Sequence, residues 1–124
     1  MLSRRMLALP IVGLIVGFLS VYFTQLTVPP FLGPYLSLAA LAGVDAVCGG
    51  YRAGLEGKFA DDIFLSGFAI NTLIAAFLAY LGDRIGVDLF LAAVVLLGGR
   101  VFLNLSLIRR YYLTQRQLAA RKEA

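Results

Sequence analysis

The sequence predicts an all-α integral membrane protein: a bundle of four transmembrane helices with both termini in the cytoplasm. Three observations carry that prediction. Hydrophobic residues fill 60% of the 124 positions and the mean hydropathy is +0.88, too apolar for a soluble domain whose surface must be largely polar. Four apolar runs of roughly spanning length are separated by short stretches rich in Gly, Pro or charge. The basic residues collect at the ends of those runs rather than in a binding stripe, so the charge of +4 reads as topology and not as nucleic-acid binding.

The first run is 7–26, behind a short head carrying Arg4 and Arg5. Basic residues before an apolar run also mark a secretory signal. This run is long for that, and TQLTVPPFLGP follows it in place of an A-x-A-like site. It reads as a retained helix. Gly13 and Gly17, continued by Ser20 and Thr24, give it one small-residue face of the G-x-x-x-G kind. Residues 27–34 hold three prolines and a glycine without charge, a tight turn.

The second run, 35–54, is the weakest, with Asp45 at its centre, Arg52 near its end and glycines at 43, 49, 50 and 54. The charged loop 55–62 (LEGKFADD) follows, and Asp61 or Asp62 is placed to cap the next helix, where a carboxylate meets unpaired backbone N–H groups. The third run is 63–81 with Asn71 inside it, and GDRIGVD (82–88) is a short turn. The fourth, 89–108, is apolar apart from Arg100, Asn104 and Ser106. At about 1.5 Å per residue its length matches the roughly 30 Å hydrocarbon core of a bilayer. Arg109 and Arg110 close it, and 111–124 is a basic tail read as a helix continuing into the cytoplasm. The chain is one membrane domain, 1–124.

Counting spans settles the weak second run. With four spans, Arg4, Arg5, Arg52, Lys58, Arg109, Arg110, Arg116, Arg121 and Lys122 share one side and only Arg84 lies on the other. With three, the head and the tail fall on opposite sides. The excess of Lys and Arg on cytoplasmic connections favours four.

Arg100 is the anomaly. Translocon scales put an arginine at the centre of a span at about 2.5–3.5 kcal/mol unless it is paired or wetted. Depth counting supplies partners. Asp45, Asn71 and Arg100 each lie eight or nine residues from the inner end of their run, so all three sit about 12–14 Å from the cytoplasmic boundary. An acid, an amide and a guanidinium at one level form a predicted polar layer, and Asn104 continues the face of Arg100 inward. The flat guanidinium fork suits a carboxylate and an amide together. The favoured reading is a buried ion pair that fixes helix register; the competing one is a proton, ion or ligand pathway.

Other features weigh less. Cys48 is the only cysteine and there is no histidine, so neither an internal disulfide nor a zinc site can be built. The glycines of CGGYRAGLEGKF lack the G-x-x-x-x-G-K-S/T order and a preceding strand, and are read as helix-end glycines and a turn. Nothing resembles a nucleophile–base pair, a metal cage or a cofactor motif, so the chain is not read as an enzyme. Arg52, Glu56, Lys58, Arg109 and Arg110 form a candidate cytoplasmic surface for a protein partner or for anionic lipid.

GGYRAGLEGKF, FLSGFAIN and GVDLFLAAVVLLGGRVFLNLSLIRR together resemble the bacterial small basic protein family. These are short membrane proteins often encoded beside cell-division and envelope genes. The resemblance runs from about Leu7 to Arg110 and rests most on Gly49-Gly50-x-Arg52-Ala53, Gly67-Phe68-x-x-Asn71, Gly86-Val87-Asp88-Leu89, and Arg100 with Asn104 and Arg109-Arg110. Asp45 before the double glycine also fits. Gly99 beside Gly98 departs from the pattern, where a single glycine and a bulkier neighbour are commoner. The resemblance implies membrane location and a genomic association with division, and no activity.

The expected function is that of a non-enzymatic accessory or scaffold protein of an envelope or division assembly, with the bilayer and other membrane proteins or a second copy as partners. The alternative is a small homo-oligomeric channel or transporter that uses the polar layer. In size, span number and intramembrane Asn and Arg it resembles the fluoride channels. Their motif order differs, and the one-sided basic residues here favour a single orientation.

Overall fold

The computed structural model describes residues 4–124, and every element in it is helical. Met1–Ser3 lie outside the described residues, as do the side chains of Arg4 and Arg5 that enter the span count above. The order is α1 (Arg4–Thr24), a single 3-10 turn (Pro30–Leu32), α2 (Gly33–Leu55), α3 (Asp61–Ile85) and α4 (Leu89–Glu123).

Each boundary has a local cause. The Ser20 and Thr24 hydroxyls of α1 bond back to the carbonyls of Val16 and Ser20 at 2.7 Å, so the small face of α1 satisfies its own polar groups. Pro30 and Pro34 sit in the first turns of the 3-10 turn and α2, where a missing N–H costs nothing. The cap expected from Asp61 or Asp62 takes another form. The extended residue Ala60 is the N-cap, and both acids fall inside the first turn of α3. There Asp62 accepts from the Ile63 N–H at 2.9 Å, and both charges meet the positive end of the helix.

The turn from α3 to α4 is the tightest in the chain. Gly86, at φ 73°, closes α3 in the left-handed conformation, and the N–H groups of Gly86 and Val87 both reach the Gly82 carbonyl. A Cβ on Gly82 would lie 2.5 Å from the Val87 carbonyl oxygen. Asp88 then caps α4 by accepting from the Leu91 N–H at 2.9 Å.

α2 is the hub. It packs against α1, α3 and α4, whereas among the described residues α1 packs against α2 alone. Pairings of Gly43 with Phe68 and Gly50 with Phe64 make α2 and α3 antiparallel; Asp45 with Arg100 and Arg52 with Asn104 make α2 and α4 parallel. The buried core is small and built of Leu38, Ala42, Ala75, Ala79, Ala93 and Leu97. Four alanines among six core residues let the helices approach closely.

Outside that core the surface is apolar. Phe18, Phe23, Phe31, Ile63, Leu73 and Phe102 are all more than two-thirds exposed, far beyond the patch a soluble monomer presents to water. Pro30–Leu55, Asp61–Ile85 and Leu89–Glu123 are each long and apolar enough to cross a membrane, and Ile11–Thr24 is a shorter apolar stretch of α1.

Candidate functional site

The two central charges meet. Arg100 Nη2 lies 3.3 Å from Asp45 Oδ2, joining the first half of α4 to the middle of α2. The partners are unequal. Asp45 is 1% exposed, while 48% of the Arg100 side chain is open. The contact is also purely ionic, since neither Asp45 oxygen has a hydrogen-bond partner. A buried carboxylate with four lone-pair sites and one lateral cation is under-satisfied by ordinary standards.

Asn71 reaches the same place from α3. It lines, with Asp45 and Arg100, a recess of about 210 Å³ between α2, α3 and α4. Its amide makes no hydrogen bond to either charge, so the three residues share a cavity rather than a closed network. Glycines shape the walls. Gly67 has nothing within 4 Å of where its Cβ would stand, whereas a Cβ on Gly50 would come within 2.9 Å of the Phe64 ring. Gly50 therefore seats Phe64, and Gly67 keeps the recess open. Lys58, from the 56–60 loop, stands on its rim.

A second polar contact lies one step toward that loop. Arg52 Nη1 donates to Asn104 Oδ1 at 3.1 Å, and Arg52 Nε donates to Glu56 Oε1 at 3.2 Å. Asn104 is 7% exposed, so this bond satisfies a buried amide. Gly49 makes it fit, because its hypothetical Cβ already touches Asn104 Nδ2 at 3.4 Å. Arg52, Glu56, Asn104 and Arg100 line a second recess of about 350 Å³ that shares Lys58 and Gly49 with the first.

The sequence grouped Asn104 with the polar layer and Arg52 with the outer surface; the structure bonds them to each other. The geometry follows from helix rise. Arg52 stands about 10 Å along α2 from Asp45, and Asn104 about 6 Å along α4 from Arg100. A long arginine side chain spans the difference. The parallel direction of α2 and α4 was available from span parity, and would have flagged this pair. Further along, the hydroxyls of Tyr51 and Tyr112 also touch, a third link between α2 and α4 that no motif or spacing singles out. Arg109 and Arg110 are exposed on α4 beyond both recesses.

Comparison with known proteins bears on this arrangement. The chain is 43% identical over 115 residues to the "Small basic protein" of Bacillus subtilis (strain 168), covering 93% of this chain and 95% of that protein. It is 45% identical over 85 residues to an uncharacterized protein of Mycobacterium bovis, covering 67% of this chain and 70% of that one. A protein of Mycobacterium tuberculosis (strain H37Rv) matches over the same length at the same identity. No solved structure matches. The family model described as "Protein of unknown function (DUF1290)" matches residues 28–113, a span that contains both recesses and every residue of the Asp45–Arg100 and Arg52–Asn104 contacts. With that match and the full-length likeness to the Bacillus protein, the chain belongs to the small basic protein family.

Proposed function

We propose that this protein is a non-enzymatic, four-span accessory subunit of the bacterial cytoplasmic membrane that carries a cytoplasmic arm to an envelope or cell-division assembly. The observation that carries the proposal is the continuity of α4. One helix of 35 residues runs from Leu89 through the Arg100 and Asn104 contacts to Glu123 without a break. At about 1.5 Å per residue it is some 50 Å long, well beyond a bilayer's hydrocarbon thickness. Its membrane half is fastened to α2 at Asp45 and Arg52, so its basic end, with Arg109, Arg110, Arg116, Arg121 and Lys122, is held at a fixed place relative to the bundle. Basic residues on this side fit the cytoplasmic orientation of both termini. The division setting is that of the family resemblance.

The test is crosslinking in native membranes followed by mass spectrometry. The same membrane proteins should be recovered reproducibly, with crosslinks at Lys58 and Lys122. Recovery of this chain alone would sink the proposal.

One observation favours a second reading, a homo-oligomeric channel or transporter: the open recess brings Asp45, Asn71 and Arg100 together between three helices. Ion or solute flux through purified protein in liposomes, abolished by Asn71→Ala, is the result that reading requires.

A further inference from the structure

The recess between α2, α3 and α4 contains more unmet polar capacity than a register-fixing ion pair needs. Asp45 is wholly buried yet neither carboxylate oxygen accepts a hydrogen bond. Arg100 gives one nitrogen to Asp45 and leaves about half of its side chain open. Lys58 stands on the rim, and Asn71 offers an unused amide inside. The lining charges are one carboxylate and two cations, a surplus of one positive charge. The remaining walls are apolar, including Phe59, Ile63, Phe64 and Phe68.

Those features select a ligand. The surplus cation calls for a monoanion, and Arg with Lys is the pairing that holds phosphate best, the fork bidentate and the ammonium as a point charge. The phenyl walls call for something that leads away from the polar end into an apolar environment. Lys58, Phe59 and Ala60 of the 56–60 loop line the recess, so it extends to the end of the apolar spans, where lipid headgroups lie. About 210 Å³ exceeds the roughly 150 Å³ that accommodates a benzene ring, enough for a small polar headgroup.

We propose that this recess is a binding site for a singly charged phosphodiester, the headgroup chemistry of phosphatidylglycerol, with Arg100 and Lys58 on the phosphate. A zwitterionic headgroup carries no net charge and would leave the surplus cation unmatched. The same chemistry exists in the soluble diester glycerophosphoglycerol, so the source is open to test. The site goes beyond the scaffold reading and does not depend on it, because a lipid-binding bundle need have no protein partner.

The experiment uses purified full-length protein and native mass spectrometry from mixed micelles of phosphatidylglycerol, phosphatidylethanolamine and phosphatidylcholine. One phosphatidylglycerol should be retained at least tenfold more than either zwitterionic lipid. Arg100→Gln removes the principal phosphate ligand but also strands Asp45, so two variants that leave the ion pair intact carry the decision. Lys58→Gln removes a rim charge, and Gly67→Leu fills the recess from a position with free space around it. Each should cut phosphatidylglycerol retention about tenfold while the protein keeps its helical circular-dichroism spectrum. A second arm adds the soluble diester glycerophosphoglycerol to protein in phosphatidylcholine micelles. Saturable thermal stabilisation by it, lost in Gly67→Leu, assigns the site to a soluble phosphodiester; selective lipid retention assigns it to the membrane lipid. Equal retention of phosphatidylethanolamine and phosphatidylglycerol overturns the proposal, as does retention unchanged by Gly67→Leu.

Discussion

Arg100 and Asp45 stand 3.3 Å apart, but only Asp45 is committed to the contact: it is buried on every side while half of the arginine faces a cavity. The pair is therefore asymmetric in what its loss would cost. Stranding a buried carboxylate is the expensive event, of order 3–5 kcal/mol, because its only neutralising charge is gone. Removing the carboxylate leaves a cation that still has access to the recess.

Arg100→Leu should accordingly destabilise more than Asp45→Asn, and the double substitution should recover most of the Arg100→Leu loss. Unfolding of purified protein in mixed micelles, with accumulation in the membrane as a second readout, measures all three. A double variant as unstable as Arg100→Leu alone would mean that the pair is not simply a lock between α2 and α4.

The Arg52–Asn104 bond predicts a graded series on one helix end. Arg52→Ala leaves a buried Asn104 amide oxygen unpaired and should cost about 1–3 kcal/mol. Glu56→Ala removes only the solvent-side i,i+4 partner and should cost about 0.3–0.5 kcal/mol. If both changes cost the same in a denaturant titration, the bond to Asn104 contributes nothing beyond the surface pair.

The two glycines of the α2–α3 recess behave oppositely. Gly50→Ala drives a methyl to 2.9 Å from the Phe64 ring and should destabilise by about 1–3 kcal/mol, with recovery on Phe64→Leu. Gly67→Ala meets nothing and should be neutral or stabilising by up to about 1 kcal/mol from helix propensity. Thermal melts of the three variants read this directly.

At the α3–α4 turn, Gly82→Ala should be the more damaging of two changes. Its Cβ meets backbone, which cannot rotate away, whereas Gly86→Ala incurs mainly the left-handed penalty of about 1–2 kcal/mol. Proteolytic nicking between α3 and α4 should rise more for the Gly82 variant.

A proline in the exposed part of α4 separates the arm from the bundle. Gln117→Pro breaks the helix beyond the Tyr112 contact, at about 3 kcal/mol locally, and leaves the Asp45 and Arg52 contacts untouched. Membrane accumulation should persist while crosslinks from Lys122 to partner proteins fall. Unchanged Lys122 crosslinks would show that the arm's rigidity is irrelevant.

Much of this was legible in the sequence, and for identifiable reasons. Apolar runs bounded by Gly, Pro and charge mark helices because hydrophobic length and backbone punctuation are local properties. The level of Asp45 and Arg100 was legible too, since helical rise converts sequence distance from a charged boundary into depth. What was hidden depends on side-chain reach and on faces. Asn104 goes to Arg52 because an arginine extends several ångströms along its own helix. Asp61 and Asp62 sit inside α3 because Ala60 is extended, a backbone preference its side chain does not advertise. The position of α1 on the flank of α2 was equally hidden, because a face of Gly13 and Gly17 shows that close contact is allowed and not with what.

The central position of α2 also carries a consequence for the order of synthesis. Asp45 leaves the ribosome 55 residues before Arg100. At about 5–20 residues per second, that is an interval of roughly 3–11 seconds in which the least apolar of the three long helices holds an acid with no counter-charge. During it, Asp45 is without the cation that α4 brings, so the contact between the two helices can form only after Arg100 has been made. A ribosome stalled before residue 100 would thus hold a nascent chain that lacks the Asp45 counter-charge, and the last helix made is the one that completes the pair.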